Sequence, residues 1–202
     1  MLQITELRKK DMRKAIQFAI KGMHFDWYMD SKLELNLYGG YFWYLESNKA
    51  TQMIALYDDD RLAGVLLARI KGEKLKYKSF GKYLYVKVFD FLQKKIYPLG
   101  AGTYEDTNKK MFRDYKKTHN PDGEILFLAA DPDVKVKGVG TQLLDELARR
   151  ETGKEIYLFT DSACTYQFYE HRGFARVCEE NLILDFDGKK VSLDSYLYSK
   201  KL

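Results

Sequence analysis

The sequence predicts a single mixed α/β domain, and three observations carry that prediction. Its 202 residues are 46% apolar and 15% aromatic, enough for one buried core and outside the composition of disordered chains. Stretches that alternate with period two are interleaved with stretches of helical period. Neither an internal repeat nor a low-complexity linker divides the chain.

Residues 2–7 alternate as a strand with Ile4 inward. Asp11 is a candidate cap for a helix that runs through Ala15, Ile16, Phe18, Ala19 and Ile20 and stops at Gly22. A second helix is expected over 32–46, although Gly39 and Gly40 interrupt it. Residues 51–57 and 62–70, joined by Asp58-Asp59-Asp60, read as a hairpin. Strand and helix then alternate: a buried strand at 125–130, a helix at 140–149, a short strand at 156–160 and a helix at 163–171. Two last strands, near 174–185 and 191–198, are separated by the turn Asp187-Gly188. The stretch 72–123 fits neither half. Two helices are expected in it, near 80–97 and 104–118, divided by Pro98-Leu99-Gly100-Ala101-Gly102; residues 83–91 also alternate well enough to serve as a strand.

Composition excludes several classes. No apolar run approaches the roughly 18 residues of a spanning helix, so no membrane partner is expected. The first residues lack the layout of a secretory signal, and Cys164 and Cys178 build neither a disulfide framework nor a metal-ligand spacing; the expected place is the cytoplasm, with no metal. Net charge is +5, concentrated between residues 71 and 118, where thirteen Lys or Arg face five Asp or Glu. That basic segment reads first as a solvated helical face, with docking of an acidic partner as the alternative. It carries no recognition motif, and nucleic acid is not expected as a partner.

The chemistry concentrates between Glu124 and Phe174. The strand at 125–130 stops at Asp131-Pro132, and the loop Lys135-Val136-Lys137-Gly138-Val139-Gly140-Thr141 opens into an amphipathic helix. A glycine-containing loop at a helix start aims free N–H groups and the positive end of the helix dipole at one spot, which suits a phosphate. A P-loop would need Lys-Ser/Thr after its last glycine, whereas Gly140 is followed by Thr141-Gln142. A dinucleotide fingerprint would need a third small residue where Leu143 stands.

The glycines instead resemble the acyl-CoA loop of the GNAT superfamily of N-acetyltransferases, Gln/Arg-x-x-Gly-x-Gly/Ala, with Gly138 and Gly140 in place and Lys135 where Gln or Arg is usual. Lysine keeps the charge without the planar fork of arginine. Phe168-Tyr169-Glu170-His171-Arg172-Gly173-Phe174 is similar to the family's Phe-Tyr-x-x-x-Gly-Phe signature. The resemblance implies a mostly antiparallel mixed sheet flanked by helices, a single domain over residues 1–202, with 72–123 as a basic helical insertion. It implies acetyl transfer from acetyl-CoA directly to an amine of a small molecule or peptide, and it leaves a homodimer open. Pantetheine would pair with the backbone of Leu128, Ala129 and Ala130, and the N–H of Ala129 or Ala130 would hold the oxyanion. Lys135 to Thr141, that is Lys135, Val136, Lys137, Gly138, Val139, Gly140 and Thr141, would cradle the pyrophosphate. Ser162 stands where many members place an asparagine on the pantetheine. Tyr169 would protonate the departing thiolate, and Glu124 would be the base, with an ordered water as its competitor.

Weaker candidates are His24, Trp27 and Tyr28, which follow the first helix where the family builds its acceptor pocket, although aromatic packing explains them as well. His171 reads as a surface residue and Cys164 as a small buried one. A competing reading of the whole chain is an acyl-CoA sensor without turnover.

Overall fold

The computed structural model describes residues 1–27, 29, 31–96, 103–186 and 189–202, with the side chains of 27, 93–96, 185, 186 and 189 left aside. The elements run β1 (Leu2–Thr5), α1 (Met12–Gly22), α2 (Lys32–Lys49), β2 (Gln52–Asp58), β3 (Arg61–Ile70), α3 (Phe80–Ile96) and α4 (Thr103–Tyr115). They continue as β4 (Gly123–Ala130), α5 (Val139–Arg150), β5 (Glu155–Asp161), α6 (Gln167–His171), β6 (Ala175–Phe186) and β7 (Lys189–Lys201).

One sheet has the order β1-β2-β3-β4-β5-β7-β6, antiparallel at every pair except β4 with β5. The mixed, mostly antiparallel sheet is the expected one. Strands β2 and β3 are buried almost throughout because both faces are covered. On one face Leu143, Leu144 and Leu147 of α5 pack with Leu56, Leu66, Ile125 and Leu158. On the other, Phe18 of α1 and Trp43 of α2 pack with Val65, Leu67 and Phe127.

Helix α2 runs unbroken through Gly39-Gly40, longer than the expected 32–46. The glycines are contact residues: a Cβ at Gly39 would stand 2.5 Å from Ile20 Cγ1 of α1. The ambiguous stretch 83–91 is helical. Tyr85 and Phe89 turn inward onto α2, with Phe89 stacked on Tyr41 at 4.5 Å and Tyr85 edge-on to Tyr44 at 5.3 Å. Helix α4 lies over β6 and β7 instead, burying Met111 and Tyr115 and stacking Phe112 on Tyr157 of β5 at 4.7 Å. It ends at Tyr115, short of 118. The divider 98–102 and the turn Asp187-Gly188 lie outside the described residues.

Candidate active site

The parallel ladder between β4 and β5 has three pairs, Gly123↔Ile156, Glu124↔Tyr157 and Ile125↔Leu158, and then stops. At that point β4 carries a bulge. Leu67 pairs with Phe127 but Ala68 pairs with Ile125, leaving Leu126 extra. A bulge bends its strand and increases local twist. Beyond it β4 stays on β3 as far as Gly64↔Ala130, while β5 stays on β7 as far as Asp161↔Ser195. The two central strands therefore diverge, and a cleft opens within the sheet. The Asp131 N–H donates to Ala63 O at 2.7 Å, so strand alternation turns the amide of Ala129 towards β3 as well. The amides of Leu128 and Ala130 face the cleft.

Directly past β4 the chain is tied down by Asp131, whose side chain is 4% exposed between Lys14 at 2.7 Å and Arg61 at 2.8 Å. Burial alone would raise this carboxyl, but hydrogen bonds from Lys14, Arg61 and the Asp133 amide hold it at about 2. Val134 and Val136 then pack into the core beneath α5, leaving Lys135 and Lys137 exposed and without an ion pair among the described residues. Gly138 caps α5 with φ +73°, a left-handed conformation, and open space where a Cβ would be. The first amides of α5, from Val139 through Gly140 and Thr141, have no partner within the helix. Val139 is buried under the loop. The helix sits close to the sheet because Gly64 of β3 has no side chain: a Cβ there would lie 3.0 Å from Ala129 O and 3.1 Å from Leu143 Cδ1, and nearer still to Val139. Gly140 lies against α6, with a Cβ position 3.0 Å from Phe168 Cζ. The two sequence motifs thus touch.

Tyr169 packs against the α5 side of the sheet, with its ring 5.8 Å from Phe174 and 6.3 Å from Tyr198. Burial pushes its hydroxyl above the ordinary tyrosine range, the Cys164 thiol adds to this, and no hydrogen bond contributes. Glu124 lies on the opposite face of the sheet from Ile125. Its Oε2 accepts from Arg69 at 2.6 Å and from Tyr157 at 3.0 Å; Oε1 has no bond among the described residues. Close by on that face is Glu46, whose carboxyl burial pushes up despite its ion pair with Lys49. Ser162 is exposed and engaged with β7: its N–H donates to Asp194 O at 2.9 Å, and its Oγ accepts from the Asp194 N–H at 3.1 Å. It does not cap a helix at 163, because α6 starts only at Gln167. The intervening turn is held by Asp161, which accepts from the Ala163 N–H at 3.0 Å and the Tyr104 hydroxyl at 3.0 Å.

The Cys164 thiol, raised to about 12 by burial and by Asp161, donates to Gly22 O at 3.9 Å. Gly22 in turn lies against Ala129, with a Cβ position 3.5 Å from that residue's own. The end of α1 therefore borders the cleft between β4 and the β5–α6 turn. His24 follows it with φ 52°. The Trp27 side chain and all of Tyr28 lie outside the described residues. His171 is exposed at the end of α6, as expected.

Sequence reading missed Asp131 with its two cations, Arg69 and Tyr157 on Glu124, and Tyr104 on Asp161. The first had a signal in its place directly after β4. The others are pairs more than thirty positions apart, which periodicity does not register.

The model of the acetyltransferase (GNAT) family matches residues 17–174, and the chain belongs to that family. No curated protein matches it. Its fold is similar to that of PH1933 from Pyrococcus horikoshii OT3 (15% identity, 100% of this chain and 99% of that one, TM-score 0.59). It is also similar to Arabidopsis thaliana NAA60 in complex with a bisubstrate analogue (14%, 99% and 97%, TM-score 0.55). A third likeness is PaiA N-acetyltransferase from Thermoplasma acidophilum in complex with coenzyme A (15%, 100% and 99%, TM-score 0.52).

Proposed function

We propose that the chain transfers an acetyl group from acetyl-CoA directly to a primary amine of a small molecule or peptide. The observation that carries this reading is the cleft between β4 and β5, which leads from the bulge at Leu126 to the open amides beside Gly138. A pyrophosphate fits that end: glycine leaves the approach clear, the helix start supplies N–H donors, and Lys135 and Lys137 add charge. The amides of Leu128 and Ala130 suit a pantetheine arm lying along β4, and Ala130 N–H is the proposed oxyanion donor. Ser162 could donate its O–H to that arm while its Oγ still accepts from the Asp194 N–H.

The two proposed proton-transfer residues lie on opposite faces, as direct transfer through a slot in a sheet requires. Glu124 would take the amine's proton on Oε1, alone or through a water, while Arg69 and Tyr157 fix Oε2. The amine nitrogen then bonds to the thioester carbon, the C–S bond breaks, and the thiolate takes the Tyr169 proton. The Tyr169 hydroxyl carries its proton at neutral pH and has no hydrogen-bond partner among the described residues, which leaves that proton available to the thiolate.

Calorimetric titration with acetyl-CoA tests the site, with Gly138→Glu as the control that should lose binding. Tyr169→Phe tests turnover. Removing a hydroxyl without a hydrogen-bond partner among the described residues should leave the thermal midpoint unchanged and lower kcat about 10²-fold. Full activity of this variant would dismiss the acid role, and no acetyl-CoA hydrolysis or transfer by the wild type over a broad amine panel would favour the sensor reading.

A further inference from the structure

Helix α3 turns one apolar stripe into the protein and a second one out of it. Tyr85, Val86 and Phe89 face α2 and the core. Phe80, Leu84, Val88 and Phe91, spaced four, four and three residues apart, fall on one adjoining stripe and are 79%, 50%, 51% and 60% exposed. On α2, Leu33 and Leu37 are exposed too, and Leu37 is tied to α3 by its carbonyl, which accepts from the Tyr85 hydroxyl at 2.9 Å. An apolar surface this continuous marks an interaction site.

Charge selects the occupant. Between residues 71 and 96 stand eight lysines against Glu73 and Asp90, a local balance of +6. Lys74, Lys76 and Lys78, in the exposed segment that leads into α3, make no ion pair among the described residues. A second copy docked on this face about a two-fold axis would set +6 against +6. An anionic bilayer answers both features, taking the apolar stripe into its headgroup boundary and the lysines onto its phosphates. We infer that α3, with the basic segment 71–78, is a docking surface for anionic phospholipid membranes. No helix among the described residues is long and apolar enough to cross a membrane, and this mode needs none: the helix lies in the interface. The expectation of no membrane partner rested on spans alone.

The test is co-sedimentation of the full chain with vesicles of phosphatidylcholine alone or containing one part in three of phosphatidylglycerol. The wild type should pellet with the mixed vesicles only. Leu84→Glu/Val88→Glu alters two half-exposed positions, so it should keep the wild-type thermal midpoint yet lose pelleting about tenfold or more. Lys74→Glu/Lys76→Glu should lose at least as much, since each lysine near an anionic surface changes partitioning about fivefold. Binding that ignores the apolar variant, or no binding to mixed vesicles at low salt, overturns the inference. So does sedimentation velocity that finds a dimer broken by Leu84→Glu/Val88→Glu without vesicle binding, which would make the face a self-interface.

Discussion

Substituting Gly64 tests how the start of α5, with the proposed pyrophosphate loop, is held at working distance from the cleft. A methyl group added there would stand 3.0 Å from Ala129 O and 3.1 Å from Leu143 Cδ1, with Val139 closer still. Ordinary carbon contacts are about 3.5–4.0 Å, so the start of α5 must rise from the sheet by something on the order of 1 Å. Overpacking of that size costs about 1–3 kcal/mol, and we expect about 2 kcal/mol for Gly64→Ala. Because Val139 directly follows the cap at Gly138, the same lift moves the amides proposed to hold the pyrophosphate, and acetyl-CoA affinity should fall about tenfold. Urea unfolding gives the first quantity and calorimetric titration the second. Val139→Ala removes the nearest obstacle, so the double variant should recover a large part of both losses, with a coupling of about 1 kcal/mol. A Gly64→Ala protein with wild-type stability and affinity would refute the idea that this glycine seats α5. A coupling near zero would show that Val139 is not what the methyl meets.

At Gly138 the space is open but φ is +73°, so Gly138→Ala should cost about 1 kcal/mol by strain alone; a neutral change in urea midpoint would mean the backbone relaxes. Asp131 titrates at about 2 in the folded chain against about 4 unfolded, so its contribution is present above pH 4 and is lost as pH falls towards 2. The shift is worth roughly 2 kcal/mol at neutral pH; Asp131→Asn should lose it and flatten the acid limb of stability between pH 4 and 2, and an unchanged limb would assign acid sensitivity elsewhere. With its thiol near 12, Cys164 should label slowly with iodoacetamide at pH 8, and acetyl-CoA alone should leave no acetylated side chain by intact mass. A stoichiometric acetyl-enzyme would replace direct transfer with a covalent route.

Local chemistry made much of the candidate site's backbone legible. Gly138 and Gly140 announce a loop that must leave backbone amides bare, and Phe168-Tyr169 with Gly173-Phe174 announces the turn of helix that packs on it. The runs of β2 and β3 were readable because strands covered on both faces are continuously apolar and a polar turn separates them. Gly39-Gly40 misled because a glycine inside a helix has two meanings, a break or a close crossing, and only Ile20 on α1 decides between them.

What the sequence by itself determined is therefore the mixed sheet, the glycine-containing loop at the start of α5 and the family, since each is written in short runs of neighbouring residues. Only the tertiary structure decided that Leu126 is a bulge and that β4 and β5 part there, because a bulge exists only relative to a partner strand. It also decided that Asp131 holds Lys14 and Arg61, that Arg69 and Tyr157 claim one oxygen of Glu124, and that Phe80, Leu84 and Val88 of α3 are exposed. Those are relations between segments distant in the chain, and the free energy of the whole fold, not any local preference, selects them.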